Sequence, residues 1–186
     1  LDPRDKRTLD SDNNNIFTHH ARFNYPEMKA IMPDDTVFVT ILRDTVSLTE
    51  SLFSYYNLKR VFHENSSTHF LETFFSITPN RSAYHALSSK RLHGKFGRNQ
   101  MSFDLGLEVE YFDNLEVLDE YIKYLDDRFH LVMIADRMEE SLILLRHLLC
   151  WSVKDVIAFR HNARYGSALS SITDNVKEKI RLFNVA

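Results

Sequence analysis

From Val37 to Leu42 the chain runs Val-Phe-Val-Thr-Ile-Leu without a charge or a break. A run that short, bounded by the turn signal Pro33-Asp34-Asp35 and by Arg43-Asp44, predicts a strand buried on both faces, as in a parallel sheet. The period then changes. Leu48, Leu52, Phe53 and Tyr56 fit one face of a helix, with Thr45 or Ser47 as its N-cap. Leu131 to Ala135, Leu-Val-Met-Ile-Ala, predicts a second buried strand, and Met138 to Trp151 a helix whose wide apolar stripe packs on the sheet. Leu115 to Phe129 reads as a further helix, with Leu115, Leu118, Ile122 and Leu125 at helical spacing. The order strand, helix, strand, helix argues for an α/β fold with a mostly parallel sheet.

The rest of the chain gives weaker signals. Residues 1–15 are polar and are expected to form an arm or linker, with one domain over 16–186. Ile16 to Thr18 is a short strand candidate leading into His19 and His20, and Pro26 to Met32 a short helix. Phe70, Phe74 and Phe75 suggest a helix inside a segment of weak periodicity. Ser88 to Arg98, with Gly94 and Gly97, reads as a loop. Val153 to Phe159 is short and apolar, and a polar loop follows over Arg160 to Arg164. Thr173 to Phe183 is an amphipathic helix with Asp174 near its start.

Composition narrows the class. The 186 residues are 44% hydrophobic and carry a net charge of -3, which argues against a protein that coats nucleic acid. No stretch approaches the ~20 apolar residues of a membrane-spanning helix. The chain starts at Leu1 with no signal segment, so a larger parent protein is expected. Cys150 is the sole cysteine, which excludes an internal disulfide framework; in Leu-Leu-Cys-Trp on an apolar helix it is expected to be buried and inert. Asn65 and Asn80 head Asn-x-Ser/Thr triplets and are candidate glycosylation sites. Between Glu72 and Asp104 there is no acid, while Arg81, Lys90, Arg91, Lys95 and Arg98 fall there. That stretch is either a solvated basic loop or a surface for an anionic ligand.

An arginine thus stands at the C-terminal end of a buried strand, with Ser51 eight positions later on the next helix. In open α/β sheets ligands bind at that edge. A fixed guanidinium, a hydroxyl and the N–H groups of a helix start suit a phosphate. The spacing alone suits equally an Arg43 paired with Asp44 or Glu50 and a Ser51 facing a neighbouring helix. His19 and His20 would point to opposite faces of a strand, which disfavours a shared metal and leaves one of them as a candidate general base or a core histidine. No Gly-x-x-x-x-Gly-Lys-Ser/Thr loop, Gly-x-Ser-x-Gly elbow or His-Glu-x-x-His helix occurs, so a nucleotide kinase ranks low.

The segments FTHHARFNYPEM and MPDDTVFVTILRDTVSLTESLFSYY, continued by GRNQMSFDLGL, RFHLVMIADRMEESLILLRHLLCW and DVIAFRHNAR, resemble the galactose-3-O-sulfotransferase family over nearly the whole chain after Asn15. The resemblance implies a P-loop-like sulfotransferase fold, 3′-phosphoadenylyl sulfate (PAPS) as donor without a metal, and a galactose-terminated glycolipid or glycan as acceptor. It also implies a Golgi membrane enzyme with a lumenal catalytic domain, its signal-anchor outside this chain. Arg43 and Ser51 match the family's 3′-phosphate-binding pair. His20 matches the histidine of its His-x-Arg-Phe segment and is similar in position to the base histidine of uronyl 2-O-sulfotransferases. Asn162 and Arg164 match its Asn-Ala-Arg loop and are expected near the nucleotide, and Arg98 and Asn99 near donor or acceptor. Thr45 stands where the family usually has proline. The Lys/Thr-rich loop that holds the 5′-phosphosulfate has no counterpart here; Lys6-Arg7-Thr8 follows no strand. The expectation is therefore a partial catalytic domain lacking the N-terminal donor-loop unit, inactive by itself. The alternative is a non-catalytic module that binds glycans or nucleotides on the same fold.

Overall fold

The computed structural model describes residues 16–17, 21–62, 70–76, 82–89, 91–92, 94, 96–158 and 172–185. The described elements in chain order are α1 (Tyr25–Lys29), β1 (Val39–Leu42), α2 (Thr45–Tyr55), α3 (Leu58–Val61), α4 (Phe70–Ser76), α5 (Ser82–Ser89), α6 (Gln100–Asp104), α7 (Leu115–Asp126), β2 (Leu131–Ile134), α8 (Met138–Leu148) and α9 (Asp174–Phe183). β1 and β2 pair in a small parallel two-stranded sheet, so the chain is α/β. Contacts divide it into two compact units, one of residues 1–40, 100–132 and 186, the other of 41–99 and 133–185.

In the first unit, aromatic rings and arginines hold the chain entering the sheet. Phe23 packs on Phe129 and Phe38, with ring centroids 4.7 and 6.3 Å apart. Phe38 and His130 exchange hydrogen bonds just before the strands begin: Phe38 N–H donates to His130 Nδ1 (3.0 Å) and His130 N–H to the Phe38 carbonyl (2.9 Å). Arg22 donates to the carbonyls of Phe103 and Gly106, both at 2.8 Å, and lies over the Phe103 ring. Gly106 sits at φ +107°, and a Cβ there would come within 2.5 Å of the Tyr121 hydroxyl and 2.7 Å of the Phe23 carbonyl. Gly106→Ala is therefore expected to cost about 2 kcal/mol, as left-handed strain and a backbone clash add. Urea denaturation of the full-length protein measures it, and an unchanged midpoint would contradict this close packing around Gly106.

The second unit contains the larger core. Val46 and Phe53 of α2, Leu58, Leu71, Phe74, Phe75, Leu87, Phe96, and Val176, Ile180 and Phe183 of α9 form one buried cluster. Phe53 meets the edges of Phe74 and Phe96 at 5.2 and 5.6 Å, a favoured aromatic geometry. α9 packs on both α2 and α4 through its Val176, Ile180 and Phe183 stripe.

Several expectations need correction. β1 is not buried on both faces: Ile41 is 51% exposed. A strand with one partner in a two-stranded sheet is not covered as an inner strand is. The α7 stripe has the predicted period, but Leu115 and Ile122 are 65% and 53% exposed. α8 ends at Leu148, not Trp151, and its buried position is Ser141, while Ile143, Leu144 and Leu148 are exposed. Ser141 anchors the helix to the strand end through its hydroxyl. The N-cap of α2 is Asp44, not Thr45 or Ser47. Residues 16 and 17 form no strand.

Cys150 is exposed, not buried. It lies past the end of α8 at φ +53°, where its N–H donates to the His147 carbonyl and the Trp151 N–H to that of Arg146. This is a Schellman ending with cysteine in the place that favours glycine. Cys150→Gly is expected to stabilise the protein by about 0.5–1 kcal/mol, read as a rise in Tm. A fall in Tm would mean that the thiol packs against neighbours and that its contacts outweigh the backbone strain.

Candidate functional site

Because the sheet is parallel, Leu42 and Ile134 end β1 and β2 at the same edge. Leu42 leads through Arg43-Asp44 into α2, and Ile134 through a 3₁₀ turn, Ala135–Arg137, into α8. Two polar clamps fix this edge. The Asp44 backbone N–H donates to Asp136 Oδ2 at 2.8 Å. Ser141 Oγ accepts from the Ile134 N–H (2.9 Å) and donates to the Ile134 carbonyl (3.2 Å). Ser141 is 4% exposed, so its hydroxyl satisfies in the interior a backbone that ends its ladder there.

Asp44 Oδ1 accepts from the N–H and the hydroxyl of Ser47, at 2.9 and 3.0 Å. Burial pushes the Asp44 carboxyl up, but the Ser47 bonds and the positive charge of Arg181 outweigh it and hold the group below the usual carboxylate value. The start of α2 thus already carries an anion of the chain's own. The Ser47 amide is therefore already engaged within the chain. Arg43 is half-buried in the strand–helix link. Ser51, also half-buried, lies about 9 Å along the axis from Thr45 and one turn above Ser47 on the same flank. It stands beside the buried face of Val46, Thr49, Glu50 and Phe53.

Arg98 and Asn99 sit elsewhere in the same unit, at the end of α9. Arg98 Nε donates to the Phe183 carbonyl (2.5 Å), and Asn99 N–H to Asn184 Oδ1 (2.8 Å). Asn184 in turn caps the Ile180 carbonyl at 2.9 Å. Arg98 therefore serves a helix C-terminus, whose unpaired carbonyls favour a cation. Arg91 of the same basic stretch is half-buried and donates to the Arg98 carbonyl. His20, Asn162, Arg164, Asn65, Asn80, Arg81, Lys90, Lys95 and the Lys6-Arg7-Thr8 segment lie outside the described residues. Among the described residues, no group of three or more His, Cys, Asp or Glu side chains is placed to hold a metal, and no helix is long and apolar enough to cross a membrane.

Sequence reasoning missed Asp136 and Ser141. A signal for the first was present: each apolar strand run ends in an opposite-charge pair, Arg43-Asp44 after β1 and Asp136-Arg137 one residue after β2.

A model of the galactose-3-O-sulfotransferase family matches residues 7–186. Mouse galactose-3-O-sulfotransferase 2 is 34% identical over 167 residues, covering 90% of this chain and 41% of its own length. Bovine galactosylceramide sulfotransferase is 32% identical over 171 residues, covering 92% and 40%. Mouse galactose-3-O-sulfotransferase 3 is 37% identical over 177 residues, covering 91% and 39%. The chain spans about two fifths of the length of these curated relatives. No solved structure matches it. With a family match that takes in both strands, the clamped edge between them and the helices that flank it, the chain belongs to the galactose-3-O-sulfotransferase family.

Proposed function

We propose that the protein carrying this chain transfers a sulfonate group from PAPS to the 3-hydroxyl of a galactose on a glycolipid or glycoprotein glycan, using a P-loop-like sulfotransferase fold. The observation that carries the reading is Arg43, half-buried in a clamped link at the C-terminal edge of a parallel sheet, inside a chain of this family. PAPS supplies an activated sulfonate on a nucleotide leaving group. Arg43 gives its 3′-phosphate a two-pronged, charge-assisted contact, and Ser51 a hydroxyl from the flank of α2. His20 takes the proton of the galactose 3-hydroxyl as that oxygen bonds to sulfur and the sulfur–oxygen bond to the nucleotide breaks. Asn162 and Arg164 face the nucleotide, whereas Arg98 and Asn99, engaged at the end of α9, hold that helix in place. The reading places the catalytic domain in the Golgi lumen, where Asn65 and Asn80 are open to glycosylation.

Full-length protein incubated with radiolabelled PAPS and a panel of β-galactosides tests this. Label is expected on the galactose and is expected to vanish with a 3-deoxygalactoside. Nucleotide binding without transfer to any galactoside would support the non-catalytic module instead.

A further inference from the structure

Asp136 places a carboxylate at the edge proposed to receive a phosphate. A carboxylate beside an edge that receives an anion repels that anion, and it lies next to a second acid, Asp44. Its contact explains its place there. Asp136 Oδ2 accepts the backbone N–H of Asp44, the residue immediately after Arg43, at 2.8 Å. The carboxylate is itself held from behind, because the strand end two residues before it is pinned by the buried Ser141 hydroxyl on both its N–H and its carbonyl. A chain of fixed contacts therefore runs from α8 through the end of β2 to the link between β1 and α2.

We propose that Asp136 is the positioning residue for Arg43: from the end of β2 it holds the backbone link from which the phosphate-binding guanidinium projects. The inference rests on the assignment of Arg43 to the nucleotide. What the link needs is an acceptor at a fixed distance, not a charge. A carboxamide of the same length supplies the acceptor without the repulsion, whereas a longer carboxylate keeps the charge and misplaces the oxygen. A guanidinium on an unfixed link must be ordered when ligand binds, and that ordering weakens affinity.

The test is binding of 3′-phosphoadenosine 5′-phosphate (PAP) to the full-length protein by calorimetry. Asp136→Ala and Asp136→Glu are each expected to raise the Kd about 5- to 20-fold, and Asp136→Asn to stay within about 2-fold of wild type. In donor kinetics the same change appears as a raised KM for PAPS with kcat nearly unchanged. Asp136→Ala made on top of Arg43→Ala is expected to add nothing, because the positioned group is already gone. Additive losses in that double variant, or a Glu that binds like wild type while Asn does not, overturn the proposal. So does normal PAP binding by Asp136→Ala. If Asp136→Ala does not fold, the Asn and Glu comparison decides alone. Should Arg43→Ala itself bind PAP as wild type does, the nucleotide reading fails rather than the clamp.

Discussion

Replacing Arg43 by alanine in the full-length protein is expected to weaken PAP binding by roughly 10- to 150-fold, on the order of 1.5–3 kcal/mol. The magnitude follows from losing a charge-assisted, two-pronged contact at a half-buried position, where the guanidinium is less screened than on an open surface. The 3′-phosphate is remote from the reacting sulfur, so its contacts are nearly equal in ground and transition states. The loss therefore falls on the KM for PAPS and leaves kcat largely intact. Arg43→Lys is expected to recover only part of the affinity, since an ammonium cannot reproduce the fork. Calorimetry with PAP and a donor saturation curve measure both. Unchanged PAP affinity in Arg43→Ala would take the site away from this edge.

His20→Ala is expected to lower kcat by roughly 10²-fold or more while leaving PAP affinity near that of wild type. A galactose hydroxyl is a poor nucleophile until its proton has somewhere to go, and a neutral imidazole can accept it. The two variants are thus expected to separate cleanly, one on binding and one on turnover. The pH profile gives a second reading. If the base must be neutral, kcat/KM falls on the acid side as it protonates, and that limb is absent in His20→Ala. Full turnover by this variant would rule the role out.

Local signals were legible where they lie within a few residues of one another. Val39 to Leu42 and Leu131 to Ile134 form strands within the predicted runs, and Asp174 to Phe183 forms a helix at nearly its predicted bounds. The period of an apolar run says which side of an element is greasy. It does not say whether another element covers that side, and Ile41, Leu115 and Ile122 were misjudged for that reason. Capping is a competition between neighbours: Asp44, Thr45 and Ser47 can all cap, and Asp44 wins because its carboxylate reaches both the N–H and the hydroxyl of Ser47. Cys150 was misplaced because α8 stops two residues short of it, in a turn with no glycine to announce it.

The strand end and the helix that carry Arg43 and Ser51 were legible, since strand end, helix and spacing are all local. The contacts that hold that edge were not. Asp136 meets Asp44 across 92 positions of sequence, a pairing that only the parallel sheet creates. Arg98 and Asn99 were legible as a motif but not as the ending of α9, because Phe183 and Asn184 lie 85 positions away.

The most direct test compares two nucleotides on two proteins: PAP and adenosine 5′-phosphate, which lacks the 3′-phosphate, each titrated into wild-type and Arg43→Ala full-length protein. Wild type is expected to prefer PAP strongly, and the preference is expected to shrink sharply in the variant, with adenosine 5′-phosphate binding equally to both. An equal preference for PAP in the two proteins would contradict the assignment of the 3′-phosphate to Arg43.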